Sequence, residues 1–177
     1  MKKLIYPALG LAFLFSIQSC LDEGKAKYMN EKTLVDAGGI TLIHDGLEGG
    51  LTEIKASTIA EANSKNPQVL DFAKMMITDH SKADSTLYWM ENDKLITEKD
   101  TISAEHQEEI DSLSKKTGAD FDKAYIAMMV KDHEGAVDLF TDQIDDKNQT
   151  IQDFARATLP TLKMHLEKAK ELEASLK

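Results

Sequence analysis

Met75-Met76-Ile77-Thr78-Asp79-His80 and Met128-Met129-Val130-Lys131-Asp132-His133 repeat one pattern on two segments of this chain. In each, a methionine precedes the histidine by four residues, so on a helix the two side chains share a face. His165 and Glu53 complete a set of polar residues at positions that the helical period turns inward. Three imidazoles and one carboxylate are a ligand set for one zinc, copper or iron ion. Met76 and Met129 add thioethers suited to Cu(I), although methionines on a bundle seam also serve as core filler. The same four groups can equally form a metal-free polar network that fixes helix register.

The apolar spacing that positions these residues is helical from residue 42 onward, and no stretch alternates as a strand. The periodicity predicts four long helices, from about Leu42 to Ser64, Pro67 to Asp93, Asp120 to Asp145 and Thr150 to Leu176. A connection of about 25 residues joins the second to the third, too long for a plain loop in a compact domain. It carries its own short helix, Ser103 to Lys116, with Ser103 as N-cap and Gly118 just past the end. The opening residues NPQVLDFAK of the second helix (66–74) are echoed by NQTIQDFAR (148–156) at the start of the fourth. Two helical hairpins joined by a long crossover make an all-α, ferritin-like four-helix bundle, with a simple up-down bundle as the less suitable alternative.

In the fourth helix, His165 lies on a 4-3 seam with Ile151, Ala155, Thr158, Leu162, Ala169 and Leu172. His80 shares its seam with Val69, Phe72, Met76, Ala83, Leu87 and Met90, and His133 with Ile126, Met129, Val137, Phe140 and Ile144. The first helix offers a narrow face, Gly46, Gly49, Gly50, Glu53, Ser57 and Ala60, on which a neighbour can come close to Glu53. The midpoint between Glu53 and His80 falls in the Asn66-Pro67 turn, and that between His133 and His165 falls at Asn148-Gln149. Each polar residue therefore stands ~20–25 Å from its turn at 1.5 Å per residue, half-way along a long helix. Mid-height is where two hairpins coincide, so the four side chains are expected to converge within about 5–6 Å. Asp79 and Asp132 lie about 100° round their helices from that seam, at the bundle edge, as solvated charges or as partners of the histidines. His44 and His106 fall outside the seam and are expected on the surface, and Pro160 is expected to kink the fourth helix.

Several chemistries are missing. The residues three before His80, His133 and His165 are Ile77, Val130 and Leu162, so the bridging glutamates of a di-iron bundle are absent. No Gly-rich phosphate loop, nucleophile elbow or paired catalytic carboxylate occurs elsewhere, which points to a protein that is not an enzyme.

The N-terminus reads as an export segment, residues 1–19, followed by a polar tether, 20–40, and the bundle, 41–177. Lys2 and Lys3 precede the apolar run LIYPALGLAFLF, and Ile17-Gln18-Ser19-Cys20 resembles a bacterial lipobox. Cys20 is the one cysteine in the chain and suits lipid attachment, the competing reading being an ordinary secretory signal with a chance cysteine. Without the signal, 19 basic side chains face 31 acidic ones, a net charge of −12 that disfavours nucleic acid as a partner. Membrane attachment then rests on the lipid anchor. Asp22-Glu23 resembles the acidic tag of some surface-exposed lipoproteins, and a short solvated linker explains it as well; the expected place is the outer membrane, facing the periplasm or the cell surface.

Gly49-Gly50-x-x-Glu53-Ile54, Asp71-Phe72-Ala73-x-x-Met76, Asp79-His80, Gly118-x-x-Phe121-Asp122-x-x-Tyr125, His133, Leu159-Pro160 and His165 together resemble the domain of unknown function 4142 family of bacterial envelope proteins. The resemblance covers about residues 33–176 and implies a ferritin-like bundle outside the cytoplasm, without implying a reaction. The third long helix also resembles the domain of unknown function 305 family, which is associated with Met/His copper handling. Where that family carries His-His, this chain reads Asp132-His133.

Overall fold

Four polar side chains start four of the helices. Asp36 accepts from the Gly39 N–H at 3.1 Å, Asn66 from Gln68 at 3.0 Å, Ser103 from His106 at 3.1 Å, and Asn148 from Thr150 at 3.0 Å. Each bond satisfies a backbone donor that the first helical turn leaves orphaned. A computed structural model of the chain describes residues 34–94, 96 and 101–176; the export segment, Cys20 and residues 20–33 of the tether lie outside the described residues. The helices are α1 (Ala37–Asn63), α2 (Pro67–Asp93), α3 (Ala104–Ser114), α4 (Gly118–Asp142) and α5 (Gln149–Ser175), and no strand occurs among the described residues.

The fold is all-α: hairpin α1–α2 packs on hairpin α4–α5, and the crossover carries α3 across α1 and α4. This arrangement is compatible with the ferritin-like class. The echoed NPQVLDFAK and NQTIQDFAR segments are the Asn-capped starts of the second helix in each hairpin. Helix α1 begins at Ala37, inside the stretch expected as tether, because Asp36 caps it and Gly38 and Gly39 are held in the helix rather than breaking it. Helix α5 runs continuously past Pro160, which lies on its exposed side.

Two apolar clusters fill the bundle. One joins Ala56, Ala60, Val69, Phe72, Met76, Phe121, Tyr125, Met129 and Ala169 beside the α1–α2 turn. The other joins Leu42, Leu47, Leu87, Met90, Phe140, Ile151 and Leu162 beside the α4–α5 turn, so the two turns lie at opposite ends. Each fully buried large aliphatic side chain contributes about 1.5–3 kcal/mol, which these clusters accumulate on either side of a polar middle. In every long helix that middle holds the charged or histidine residues: Glu53, His80 with Asp84, His133 and His165, all buried.

The close approach of α1 to α2 depends on glycine at two points. A Cβ at Gly50 would overlap the Asp84 carboxylate, with Asp84 Cγ only 2.8 Å away, and one at Gly46 would meet Leu87 at 3.1 Å. Gly49, expected on the same narrow face, has nothing within 4 Å of where its Cβ would stand.

Candidate metal centre

The bundle brings Glu53, His80, His133 and His165 together at mid-height, as the spacing predicts. Glu53 Oε2 lies 2.8 Å from His80 Nε2, and Glu53 Oε1 lies 3.2 Å from His133 Nδ1. The three imidazole centroids are 5.3–5.6 Å apart pairwise. One ring nitrogen from each of His80, His133 and His165 falls within 4.8 Å of the other two. Glu53 approaches His80 off the direction of its ring N–H, giving an ion-pair contact without an aligned hydrogen bond.

The outward nitrogens of two rings are already committed. His133 Nδ1–H donates to the Met129 carbonyl at 2.9 Å, and His165 Nε2–H donates to Asp79 Oδ2 at 2.9 Å. A neutral imidazole has one N–H, so the other nitrogen of each ring carries a lone pair. Those two nitrogens, His133 Nε2 and His165 Nδ1, face each other at 3.3 Å.

Burial sets the charge states against the neighbours. For Glu53, desolvation opposes the charge, but attraction from His80 and His133 holds its carboxyl down at about 2. For His80, burial pulls the pKa down, and Glu53 outweighs it, so the ring titrates above the usual histidine value. Burial also lowers His133, where Glu53 fails to compensate and His80 adds repulsion. His165 is lowered to about 4 by burial and by repulsion from His133 and His80, despite its bond to Asp79. The layer therefore favours a charged His80 beside an ionised Glu53 and keeps the His133 and His165 imidazoles uncharged.

Glu53, His80, His165, Asp79 and Asp84 line a chamber of about 410 Å³ that opens between the hairpins. His133 is fully buried behind it. Met76 and Met129 are also fully buried, but in the apolar cluster rather than on the chamber wall.

Of its two expected readings Asp79 takes the partner role, bonding His165 across the bundle. Two expectations need correction. Asp132 is not at the solvated edge: its side chain is 9% exposed. His44 and His106 are half-buried rather than on the surface. The crossover helix folds His106 onto α1, where its Nδ1–H donates to both Glu48 oxygens, at 2.8 and 2.9 Å. Glu48 also accepts the Ser103 N–H at 2.7 Å, and with His106 this overrides burial and lowers its pKa. Asp132, pushed up by burial and then by Glu53 against the attraction of His106, sits at about 7. Sequence spacing missed Glu48, Asp84 and His106, because a charged residue off the apolar seam carries no sign of burial.

Fold and site thus define a helical-bundle protein with a buried carboxylate–histidine centre. The chain belongs to the family described as domain of unknown function (DUF4142), which matches residues 28–172. The crystal structure of a DUF305 fragment from Deinococcus radiodurans is similar in fold, with a TM-score of 0.71 at 14% identity over 79% of this chain and 97% of that one. No curated protein sequence matches the chain significantly.

Proposed function

We propose that the protein is a lipid-anchored, non-enzymatic component of the bacterial envelope that holds one transition-metal ion between His80, His133 and His165. The observation that carries the metal reading is the pair His133 Nε2 and His165 Nδ1, two lone pairs facing each other at 3.3 Å in a buried layer. Lone pairs so placed repel unless a cation or a proton lies between them. Burial keeps the extra proton off both rings at neutral pH, which leaves the cation. Two nitrogens bound tetrahedrally to one zinc at ~2.0–2.1 Å stand about 3.3–3.4 Å apart, so the spacing fits without movement. Met129 carbonyl and Asp79 supply the outer-nitrogen partners that metal-bound imidazoles ordinarily have. Glu53 offsets the ion's charge. Copper and iron suit the same imidazoles.

A metal-free network is the second reading, supported by the His80–Glu53 contact at 2.8 Å, which balances its own charge without an ion. Metal analysis of protein purified without a polyhistidine tag separates the two. On the metal reading, zinc at a hundred times its dissociation constant stabilises wild type by about 2.7 kcal/mol, a melting shift of about 5–10 °C. His80→Ala and His133→Ala lose that shift. Protein that carries no metal and does not respond to zinc, copper or iron leaves the structural reading.

The anchor rests on Ile17-Gln18-Ser19-Cys20, and the outer-membrane location on that signal with the acidic Asp22-Glu23. No helix among the described residues is long and apolar enough to cross a membrane. Cys20→Ser should release the protein from the membrane fraction; unchanged attachment would overturn the anchor.

A further inference from the structure

At the outer wall of the same chamber, a second set of three donors comes from two elements. His106 is on α3, Asp132 is on α4, and Glu109 follows His106 on the same face of α3. One donor atom from each lies within 4.8 Å of the other two. Glu48 on α1 takes the Nδ1–H of His106 in both carboxylate oxygens, which turns Nε2 toward Asp132 Oδ1, 3.8 Å away. That is the carboxylate–histidine pairing that prepares an imidazole to ligate through its other nitrogen.

The carboxylates are not ordinary surface charges. The Asp132 side chain is nine-tenths buried, and its Oδ2 has no hydrogen-bond partner among the described residues. Glu109 gives Oε1 to Lys131 Nζ at 2.7 Å, while its Oε2 is enclosed and likewise without a hydrogen-bond partner. A buried carboxylate oxygen left unpaired is costly, and two on carboxylates grouped with one imidazole are relieved together by a single cation.

We propose that His106, Asp132 and Glu109 form a second metal site, at the chamber wall, for a divalent transition-metal ion. One imidazole and two carboxylates are harder donors than the three imidazoles inside, so this site takes Zn²⁺, Mn²⁺ or Fe²⁺ and disfavours Cu(I). It stands on its own donors and does not depend on the inner centre. Because His106, Asp132, His80 and His165 line one chamber, an ion held outside is already on the way to the inner imidazoles.

The test is isothermal titration of the full chain with Zn²⁺, without a polyhistidine tag and with Cys20→Ser to remove the thiol. Wild type is expected to bind two equivalents. Asp132→Asn with Glu109→Gln, an isosteric pair, is expected to bind one, and adding His165→Ala to remove the other. His106→Gln should also lose one equivalent, and circular dichroism melts confirm that each variant is folded. Two equivalents retained by the folded Asp132→Asn/Glu109→Gln protein would overturn the outer site. So would a single wild-type equivalent that His165→Ala abolishes, which leaves the inner centre standing. A single equivalent lost only with Asp132 and Glu109 would support the outer site and remove the inner one. No binding at all defeats both.

Discussion

Asp79 on α2 accepts the Nε2–H of His165 on α5 at 2.9 Å, although its chain neighbour is His80. A residue beside one imidazole thus orients another on the opposite hairpin. The bond fixes the His165 tautomer and sends the Nδ1 lone pair toward His133. It also joins the two hairpins in the polar layer between the two apolar clusters.

Asp79→Ala removes that orientation without touching a ligand atom. Losing such an outer partner typically weakens metal affinity ~10–100-fold. The stranded His165 N–H costs about 1–3 kcal/mol if no water reaches it. We expect zinc to bind Asp79→Ala at least tenfold more weakly than wild type, at unchanged stoichiometry, by titration. Unaltered affinity would mean that the His165 ring is held by packing alone.

Adjacent glycines should respond with opposite signs. Gly50→Ala forces a methyl into the Asp84 carboxylate, and overpacking of this kind costs ~1–3 kcal/mol. Gly49→Ala meets nothing within 4 Å, so the helix keeps the gain of about 0.5–1 kcal/mol expected for alanine over glycine. Thermal melts of the two variants check this directly. A stable Gly50→Ala protein would show that Asp84 can withdraw without loss.

Much of this was legible in the sequence, and for a physical reason. The period of 3.6 decides which residues face inward, and the rise per residue decides their height, so the spacing alone places Glu53, His80, His133 and His165 at one level. What stayed hidden depends on contacts that neither quantity encodes. His106 and Glu48 lie 58 residues apart and meet only because the crossover lays α3 against α1. Asp84 replaces Ala83 as the buried residue of its turn because Gly50 leaves room for a carboxylate. Periodicity reads an aspartate as outward-facing and cannot see that vacancy.

The methionines give a third prediction. Met76 and Met129 share the histidines' faces yet sit in the apolar cluster, off the chamber wall. Met76→Leu and Met129→Leu are volume-conserving and should cost under about 1.5 kcal/mol each. Zinc affinity should not change in either variant. A selective loss of Cu(I) binding would restore the thioethers as ligands.

The pH dependence of the metal-free protein tests the charge assignment of the whole layer. His165, lowered to about 4 by burial and its imidazole neighbours, and His133, lowered by burial, refuse protons that the unfolded chain accepts at its usual value of about 6.5. Their contribution is present above about 6.5 and is lost as pH falls through the folded values. His80 has the opposite sign: burial lowers its pKa, but Glu53 raises it further than burial lowers it. The stability of that pair is complete below about 6.5 and is lost as pH rises through the raised folded value. Glu53, held at about 2, adds a loss only as pH falls from about 4.5 toward that value. The contribution of these four groups to the melting temperature of metal-free protein should therefore peak near pH ~6.5 and fall on both sides, more steeply on the acid side where two imidazoles act together. Asp132, raised to about 7, adds a separate loss as pH rises from 3.8 toward that value, and Asp132→Asn removes it from the measured curve. Zinc must displace the His80 proton, so the zinc-induced rise in melting temperature should grow as pH rises above about 6.5 through the raised His80 value. His80→Gln should remove the alkaline decline and the growth of the zinc response together. A zinc shift that stays constant over that range would take His80 out of the ligand set.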